Sequence, residues 1–398
     1  MTTGPTTGPT TTGPTTGPTT GPTTGPTVGP MTTGPTTTGP TTTGPTGRPL
    51  RSLPKAHLHL HLTGAMRHAT LVELAATHRV QLPAALAGGD WPVRLTGASD
   101  ERGWFRFQRL YDIARSVLRT EDDVRRLLRE TAEDEAGDGS GWLEIQVDPS
   151  GYAGRFGGLT ATVELVLDAA AHAAAVTGVG IGVIIAANRT KHPLEARTLA
   201  RLAAQYAGRG VIGFGLSNDE RRGSTADFGP AFRIATRAGL LSVPHGGELL
   251  GPANVAACLD ELHADRVGHG IAAAEDPGLE RRLAAGPVTL EVCPSSNVAL
   301  GVFGKPADVP LPRLLEAGIQ VALGADDPLL FGSRLTAQYD LARNALGLGD
   351  GELAELARMS VRGSVAPDDV RTRLLTGIDA WLDGQWSERD ADEHGLGD

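Results

Sequence analysis

Three histidines alternate with three leucines in the segment HLHLHL at residues 57–62. Because side chains of a β-strand point alternately to its two faces, His57, His59 and His61 would share one face and the leucines the other. Imidazole is the commonest metal ligand in proteins, and two histidines one residue apart on a strand can face a single ion. The pattern predicts that His59 and His61 bind a metal, whereas His57 lies one layer deeper in a structural role.

Further polar side chains follow three later apolar segments. These segments end in the motifs PHGGE, GHG and GADDP, which contain five candidate site residues: His245, Glu248, His269, Asp326 and Asp327. Taken singly, each could be an ordinary turn residue or a helix cap. Taken together, they indicate one site, provided that the strand ends are neighbours in space. Three histidines, one carboxylate and an open position suit a catalytic zinc ion, one per chain, which makes a hydroxide nucleophile available near neutral pH.

Eight short apolar segments alternate with helix-length segments rich in Ala, Leu, Arg and Glu. We predict strands at 56–62, 142–147, 179–186, 211–216, 240–245, 266–270, 288–293 and 319–325. Strand–helix alternation implies a parallel sheet, because parallel neighbours need a crossover connection. Eight such units in about 300 residues are typical of an α/β fold, the (β/α)8 TIM-type barrel. Extra helices at 350–358 and 374–382 would complete its outer ring. A doubly wound open sheet is the alternative fold.

The chain has 398 residues, and its first 47 differ in composition from the rest. Residues 1–47 repeat Gly-Pro-Thr units without any charged side chain. Because this segment offers almost nothing to bury, it predicts a disordered Thr/Gly/Pro-rich N-terminal arm. The barrel would then span 48–386, and an acidic, frayed tail would occupy 387–398.

Composition narrows the classes of function. A net charge of −10 argues against nucleic acid as the main partner, which requires a basic surface. No apolar run was expected to reach the roughly 20 residues of a membrane-spanning helix, and the chain's start lacks the pattern of a secretory signal. The two cysteines, Cys258 and Cys293, are too few for a disulfide framework. We therefore expect a cytoplasmic enzyme, with no protein partner inferred.

Six motifs in chain order, PKAHLHLHLTG, SNDE, PHGGE, RVGHG, LEVCPSSN and GADDPLLF, resemble the adenosine deaminase family of the amidohydrolase superfamily. The similarity runs from about Leu53 to about Leu375. The resemblance implies hydrolytic deamination of adenosine and 2′-deoxyadenosine to inosine and ammonia, a reaction of purine salvage on a small nucleoside. It also implies the four zinc ligands: His59, His61, His245 and Asp326.

The resemblance further implies the roles of the remaining site residues. Glu248 would protonate N1 of the purine, and His269 would orient the attacking water and stabilise the charge that develops. Asp326 would take part in catalysis as well as in metal binding. Asp327 would hold N7, and His61 would also lie against the substrate. These roles agree with the chemistry, because addition at C6 moves electrons onto N1, which then needs a proton donor.

Two positions depart from the family pattern on the sugar side of the substrate. Thr63 stands where the family has an aspartate for the ribose hydroxyl, and Asn218 stands where a glycine offers its backbone N–H to N3. Both remain candidate substrate-binding residues, and both leave adenine or aminodeoxyfutalosine open as alternative substrates. Nearby, Trp104, Phe105 and Phe107 either cover the substrate or simply pack their helix.

Three other functions would each be expected to leave a different mark in the sequence. A two-metal hydrolase of the same superfamily would be expected to carry a lysine at the fourth strand, and VIGFGLSNDE has none. A nucleoside-binding protein without turnover would be expected to have lost metal ligands or Glu248, and all are present. A deaminase of the cytidine type is excluded because the Pro-Cys-x-x-Cys motif is absent.

Overall fold

The computed structural model describes residues 47–88 and 101–384. All of the predicted tail and all but the last residue of the predicted arm lie outside this part of the chain. Eight parallel strands follow one another in chain order around the sheet: β1 (Lys55–His61), β2 (Ser140–Val147), β3 (Gly180–Asn188), β4 (Val211–Ser217), β5 (Leu241–Gly246), β6 (Arg266–His269), β7 (Thr289–Val292) and β8 (Gln320–Leu323).

The end of the ring is joined to its beginning just after β8. Leu60 and Asp326 form a parallel bridge. The backbone N–H of His61 donates to the Asp326 carbonyl at 3.0 Å, and the Asp326 N–H donates to the His59 carbonyl at 3.1 Å. The sheet is thus a nearly closed barrel. The predicted (β/α)8 fold is confirmed, and the open sheet is excluded.

Helices surround the barrel and cover the ends of its strands. Within the described residues they are α1 (His68–Thr77), α2 (Ala84–Ala87), α3 (Glu101–Ser116), α4 (Glu121–Gly137), α5 (Leu159–Thr177), α6 (Pro193–Gln205), α7 (Gly229–Arg237), α8 (Pro252–Glu261), α9 (Pro277–Ala284), α10 (Pro294–Ala299), α11 (Leu311–Glu316), α12 (Pro328–Phe331), α13 (Leu335–Asn344), α14 (Asp350–Gly363) and α15 (Asp368–Asp383). The last two are the extra helices predicted from the sequence.

Local sequence explains where individual helices begin. At α4, the Thr120 hydroxyl accepts from the N–H of Asp123, and the Asp123 carboxylate accepts from the N–H of Thr120, which closes a capping box. The acidic first turn also complements the positive end of the helix dipole.

The hydrophobic core lies between the strands and the helices. Leu58, Leu60 and Leu62 are all buried in it, as the alternation in β1 predicts. The opposite face of β1 carries the histidines toward the interior of the barrel. The strand therefore separates a packing face from a chemical face.

A buried lysine lies below this chemical face, at the amino end of β1. Lys55 Nζ donates to the carbonyls of Leu50, Leu53 and Asp138 at 2.8, 2.6 and 2.5 Å, and it lies 5.4 Å from the centre of the Tyr339 ring. Burial lowers the pKa of Lys55 to about 7. The three carbonyls and the aromatic ring favour the ammonium form and hold the start of the strand in place.

By length and composition alone, α5 is long and apolar enough to cross a membrane. The reason for its apolar composition is its place in the barrel, where it packs against α4 and β3 and buries residues such as Val163, Val166 and Ala170. A core helix meets the same criteria as a membrane-spanning one.

Candidate active site

The predicted site residues converge at the carboxyl ends of the strands. His59 and His61 come from β1, His245 from β5 and His269 from β6, and Asp326 follows β8. Three overlapping groups have potential ligand atoms within 4.8 Å of one another: His59 with His245 and His269, His59 with His61 and Asp326, and Glu248 with His269 and Asp326. The barrel thus brings together residues that are far apart in the sequence, as the strand-end pattern predicts.

The spacing of the predicted ligand atoms fits a single zinc ion. His61 Nε2 lies 3.2 Å from His245 Nε2 and 3.2 Å from Asp326 Oδ1, and His59 Nε2 lies 3.5 Å from the same oxygen. Zinc bonds of about 2.0–2.1 Å place neighbouring ligand atoms about 3.3–3.4 Å apart. His59 Nε2 is buried without a hydrogen-bond partner. These nitrogens and this oxygen therefore form a donor set that suits the metal.

A buried ion network orients His59. Its Nδ1 donates to Glu291 Oε2 at 2.7 Å, which leaves Nε2 free to face the site. Glu291 Oε1 in turn accepts from Arg266 Nε at 2.7 Å, and Arg266 also pairs with Glu144. Burial alone would raise the pKa of Glu291, but Arg266 and His59 outweigh it and lower that pKa. A charged carboxylate therefore supports this histidine, a feature that sequence reasoning missed.

His57 uses both of its ring nitrogens in the protein. Nδ1 donates to Glu135 Oε1 at 2.8 Å, and Nε2 accepts from the N–H of Ala325 at 3.0 Å. Both contacts are buried. This arrangement fits the predicted structural role below the metal-facing pair.

The ionisation of the cluster reflects burial and close charges. Burial opposes protonation of His59, but the nearby carboxylates of Asp326 and Glu291 outweigh it and raise its pKa to about 10. Burial, assisted by neighbouring histidines, lowers the pKa of His245 and brings that of His269 to about 3. These two rings are therefore neutral and able to act as ligand or acceptor.

Asp326 is held in an uncommon backbone conformation. Its φ is 61°, in the left-handed region, and its Oδ2 accepts from the Ser296 hydroxyl at 2.6 Å. Burial alone would raise the Asp326 pKa, but the hydrogen bonds to His59 and His61 outweigh it, so the pKa falls well below its ordinary value. Such strain at a strand end is typical of a functional position.

Small residues beside the site are required by close contacts. A methyl group at Gly268 would lie 2.9 Å from the His59 ring and 3.0 Å from the His245 ring. A methyl group at Gly64 would overlap Asp327 Oδ1 at 1.8 Å. The glycines of GHG and LTG therefore make room for the chemical groups around them.

Glu248 is buried in the same cluster, with its Oε1 3.7 Å from His269 Nε2. Burial raises the pKa of Glu248 well above its ordinary value, and the charges of Asp326 and Glu220 add to the effect. Burial, followed by the charge of Asp326, likewise raises the pKa of Asp327, whose Oδ1 is buried without a partner. Burial thus favours the neutral form of both carboxyl groups, which is the form that can donate a hydrogen bond to a ring nitrogen of a bound molecule.

A cavity of about 670 Å³, its open mouth included, lies above these residues. Polar side chains also line it: Gln108, Arg115, Gln146, Asp148, Tyr152, Asn188, Ser217 and Asn218. Thr63 is not among the lining residues, because its hydroxyl is bonded to the Tyr152 hydroxyl at 2.6 Å and is fully buried. A direct contact between Thr63 and a substrate stays a prediction. Tyr152, the hydrogen-bond partner of Thr63, does line the cavity.

Asn218 lines the cavity and connects β4 with α3. Its φ of 80° explains why a glycine or an asparagine suits this position. The Asn218 Nδ2 donates to Gln108 Oε1 at 2.9 Å, and its Oδ1 accepts from Trp104 Nε1 at 3.4 Å. Trp104 and Phe107 line the cavity, whereas Phe105 is 69% exposed and faces away. The helix thus covers the cavity with two of the three predicted aromatics.

A barrel with a histidine–aspartate cluster and a buried glutamate at its carboxyl face defines a metal-dependent hydrolase of small molecules. The family model described as adenosine deaminase matches residues 54–381, and the chain belongs to this family. A putative adenosine/adenine deaminase of Streptomyces virginiae is 64% identical over 85% of this chain and 99% of its own length.

Solved structures agree with the assignment. The adenine deaminase of Arthrobacter aurescens is 32% identical, with a TM-score of 0.76, over 83% of this chain and 99% of that chain. A zinc-bound amidohydrolase from Burkholderia ambifaria has a TM-score of 0.75 over 84% of this chain and 93% of that chain. At 24% identity, this second likeness supports the fold alone.

Proposed function

We propose that the protein is a zinc-dependent hydrolase that deaminates adenosine and 2′-deoxyadenosine to inosine and 2′-deoxyinosine with release of ammonia. The proposal depends mainly on one observation, the convergence of His59, His61, His245 and Asp326 opposite Glu248. The polar side chains that line the cavity offer hydrogen-bond partners for the hydroxyl groups of a sugar.

In this proposal, His59, His61, His245 and Asp326 hold one zinc ion, which supplies the nucleophile by making a water acidic. The other residues handle protons and orientation. Glu248, protonated at the start, gives its proton to N1 as water attacks C6. Asp327, also protonated, donates to N7 and orients the ring.

His269 completes the proposed arrangement. Its neutral ring faces Glu248 and can accept a hydrogen bond from the attacking water on the same side of the purine. Burial of His59, His245, Glu248, His269 and Asp326 limits the access of bulk water, which strengthens each of these hydrogen bonds. The 6-amino group then leaves as ammonia after it gains a proton.

Free adenine is the second candidate substrate. The Thr63 hydroxyl is hydrogen-bonded to the Tyr152 hydroxyl instead of being directed to a sugar. The Asn218 side chain is hydrogen-bonded to Gln108 of α3. The similar structure from Arthrobacter aurescens is that of an adenine deaminase. These observations favour a substrate without a ribose, because Thr63 replaces the aspartate that binds the ribose hydroxyl in the family.

A substrate panel tests the proposal. The purified protein would be given adenosine, 2′-deoxyadenosine, adenine and aminodeoxyfutalosine, and loss of the adenine absorbance band would be followed. We expect adenosine turnover that disappears on chelation and returns with zinc. Preferred turnover of adenine would move the assignment to the second candidate, and full-speed ammonia release by metal-free protein would exclude both.

Two further measurements separate the rivals. Metal analysis is expected to find one zinc per chain, and two per chain would favour a two-metal hydrolase. Glu248→Gln is expected to bind adenosine but to lose turnover by a factor of about 10²–10⁴, the usual contribution of a general acid. An unchanged rate in Glu248→Gln would remove this residue from the mechanism.

A further inference from the structure

The loop that carries Glu248 is held by a second glutamate, Glu220, which lies just after the neighbouring strand β4. This loop, Gly246–Leu250, follows β5 and leads into α8. Glu220 Oε2 accepts from the backbone N–H groups of Glu248, Leu249 and Leu250 at 3.0, 2.7 and 3.0 Å. Four consecutive N–H groups converge on this carboxylate, because Glu220 Oε1 accepts from the N–H of residue 247.

The arrangement is an anion-binding nest filled by a carboxylate of the protein itself. Successive N–H groups that point to one place attract negative charge. Glu220 is only 2% exposed, and its Oε1 also accepts from Asn254 Nδ2 of α8 at 2.8 Å. Five donors on one buried carboxylate fix the loop and the first turn of the helix to the end of β4.

The carbonyl side of the same loop is bound to the segment that carries His269. The Gly246 carbonyl accepts from the N–H of Gly270 at 3.0 Å, and the Gly247 carbonyl accepts from the N–H of Ala272 at 3.2 Å. Gly247 has a φ of 71°, and a methyl group there would lie 2.4 Å from Val255. The loop is therefore held on both sides, so the position of Glu248 relative to His269 is fixed by backbone bonds.

We propose that Glu220 is a positioning residue for the deamination reaction, which acts by holding the backbone of Glu248 where its carboxyl group can reach N1 of the purine. Glu220 is not among the residues that line the cavity. Its hydrogen bonds act on Glu248 through the loop, and its charge also adds to the raised pKa of Glu248. This inference rests on the proposed function, since it assumes that Glu248 is the proton donor.

The first test is Glu220→Gln, compared with Glu130→Gln. The glutamine keeps the shape of Glu220 but offers one acceptor oxygen to five donors. Because a misplacement of about 1 Å can lower a rate about 100-fold, kcat is expected to fall by about that factor while KM and zinc content stay unchanged. Glu130 is a buried glutamate of α4 bonded to Thr70 and Arg126, remote from the loop, and its variant should keep kcat.

A double variant distinguishes positioning from a general structural role. If Glu220 acts through Glu248, adding Glu220→Gln to Glu248→Gln should lower the residual rate much less than 100-fold, because the group to be positioned is already absent. A full additional 100-fold loss in the double variant would overturn the proposal, as would a wild-type kcat in folded Glu220→Gln.

A second readout does not depend on activity. Hydrogen exchange of the amides at 247–250 should be faster in Glu220→Gln than in the wild type, while exchange in α14 stays the same. If Glu220→Gln does not fold, Glu220→Asp answers the same question, because the shorter carboxylate should give intermediate exchange and an intermediate kcat. Equal exchange in the variant and the wild type would contradict the proposal that Glu220 holds this loop. A wild type inactive on every substrate would instead refute the proposed function.

Discussion

The carboxylate that supports His59 offers a quantitative test of the proposed zinc site. Glu291 is fully buried and accepts from His59 Nδ1 at 2.7 Å, a short charge-assisted hydrogen bond. Replacing it by glutamine keeps the shape and one acceptor but removes the negative charge that makes the imidazole a better ligand. Loss of such a partner lowers metal affinity by about 10- to 100-fold, which corresponds to about 1.4–2.7 kcal/mol.

The same strand provides a matched control. His57 Nδ1 donates to Glu135 Oε1 at 2.8 Å, so it forms a second buried histidine–carboxylate pair of nearly the same length. Its other nitrogen, however, is already used by the N–H of Ala325. Glu135→Gln should therefore leave zinc affinity unchanged, although it alters a comparable hydrogen bond.

The assay is competition for zinc between the metal-free protein and a chromophoric chelator. The dissociation constant of Glu291→Gln is expected to rise by 10- to 100-fold over the wild type, and that of Glu135→Gln to stay the same. Equal losses in both variants would show that general destabilisation, not ligand orientation, lowers the affinity. No loss in Glu291→Gln would mean that His59 does not bind the ion through Nε2.

Three further outcomes are expected. Lys55→Met should destabilise the fold by about 1–3 kcal/mol in urea unfolding, because it leaves buried carbonyls without a donor, whereas Lys305→Met at an exposed site should have little effect. The kcat should fall as pH rises through the raised pKa of Glu248, since only the protonated acid can donate to N1, and a rate that keeps rising in alkali would contradict this. Asn218→Gly should accelerate hydrogen exchange in α3 without unfolding the barrel, because it removes the bonds to Gln108 and Trp104, and unchanged exchange would show that these bonds do not hold the helix.

The sequence predicted the fold and the convergence of the candidate site residues because both leave local patterns. Alternation in HLHLHL separates the face of β1 that packs from the face that carries imidazoles, and the observed strands agree with the predicted ones to within a few residues. Polar motifs at strand ends then converge in any closed parallel ring, so no long-range information was needed for His245 or Asp326.

The supporting residues were missed because their partners are remote and their own surroundings are apolar. Glu291 is the single charged residue of β7, and its partner Arg266 lies 25 residues away on the neighbouring strand. Only one sequence signal was available, an isolated charge inside an otherwise apolar strand, which recurs at Glu144 of β2. Thr63 shows the same difficulty, since its hydroxyl is bonded to Tyr152, 89 residues away. The arm at 1–47, the tail at 387–398 and the cytoplasmic location stay predictions.

Asp326 has a consequence for assembly of the whole molecule. It belongs to the seam where the last strand meets the first, and the bond from Ala325 to His57 crosses the same seam between residues 268 positions apart. A metal ion bound by His59, His61 and Asp326 would cross-link the first strand of the barrel to the end of the last strand. Because loop closure over such a distance is entropically unfavourable, metal uptake and the final closing of the ring should be coupled events. The proposed metal site would then also stabilise the closed barrel.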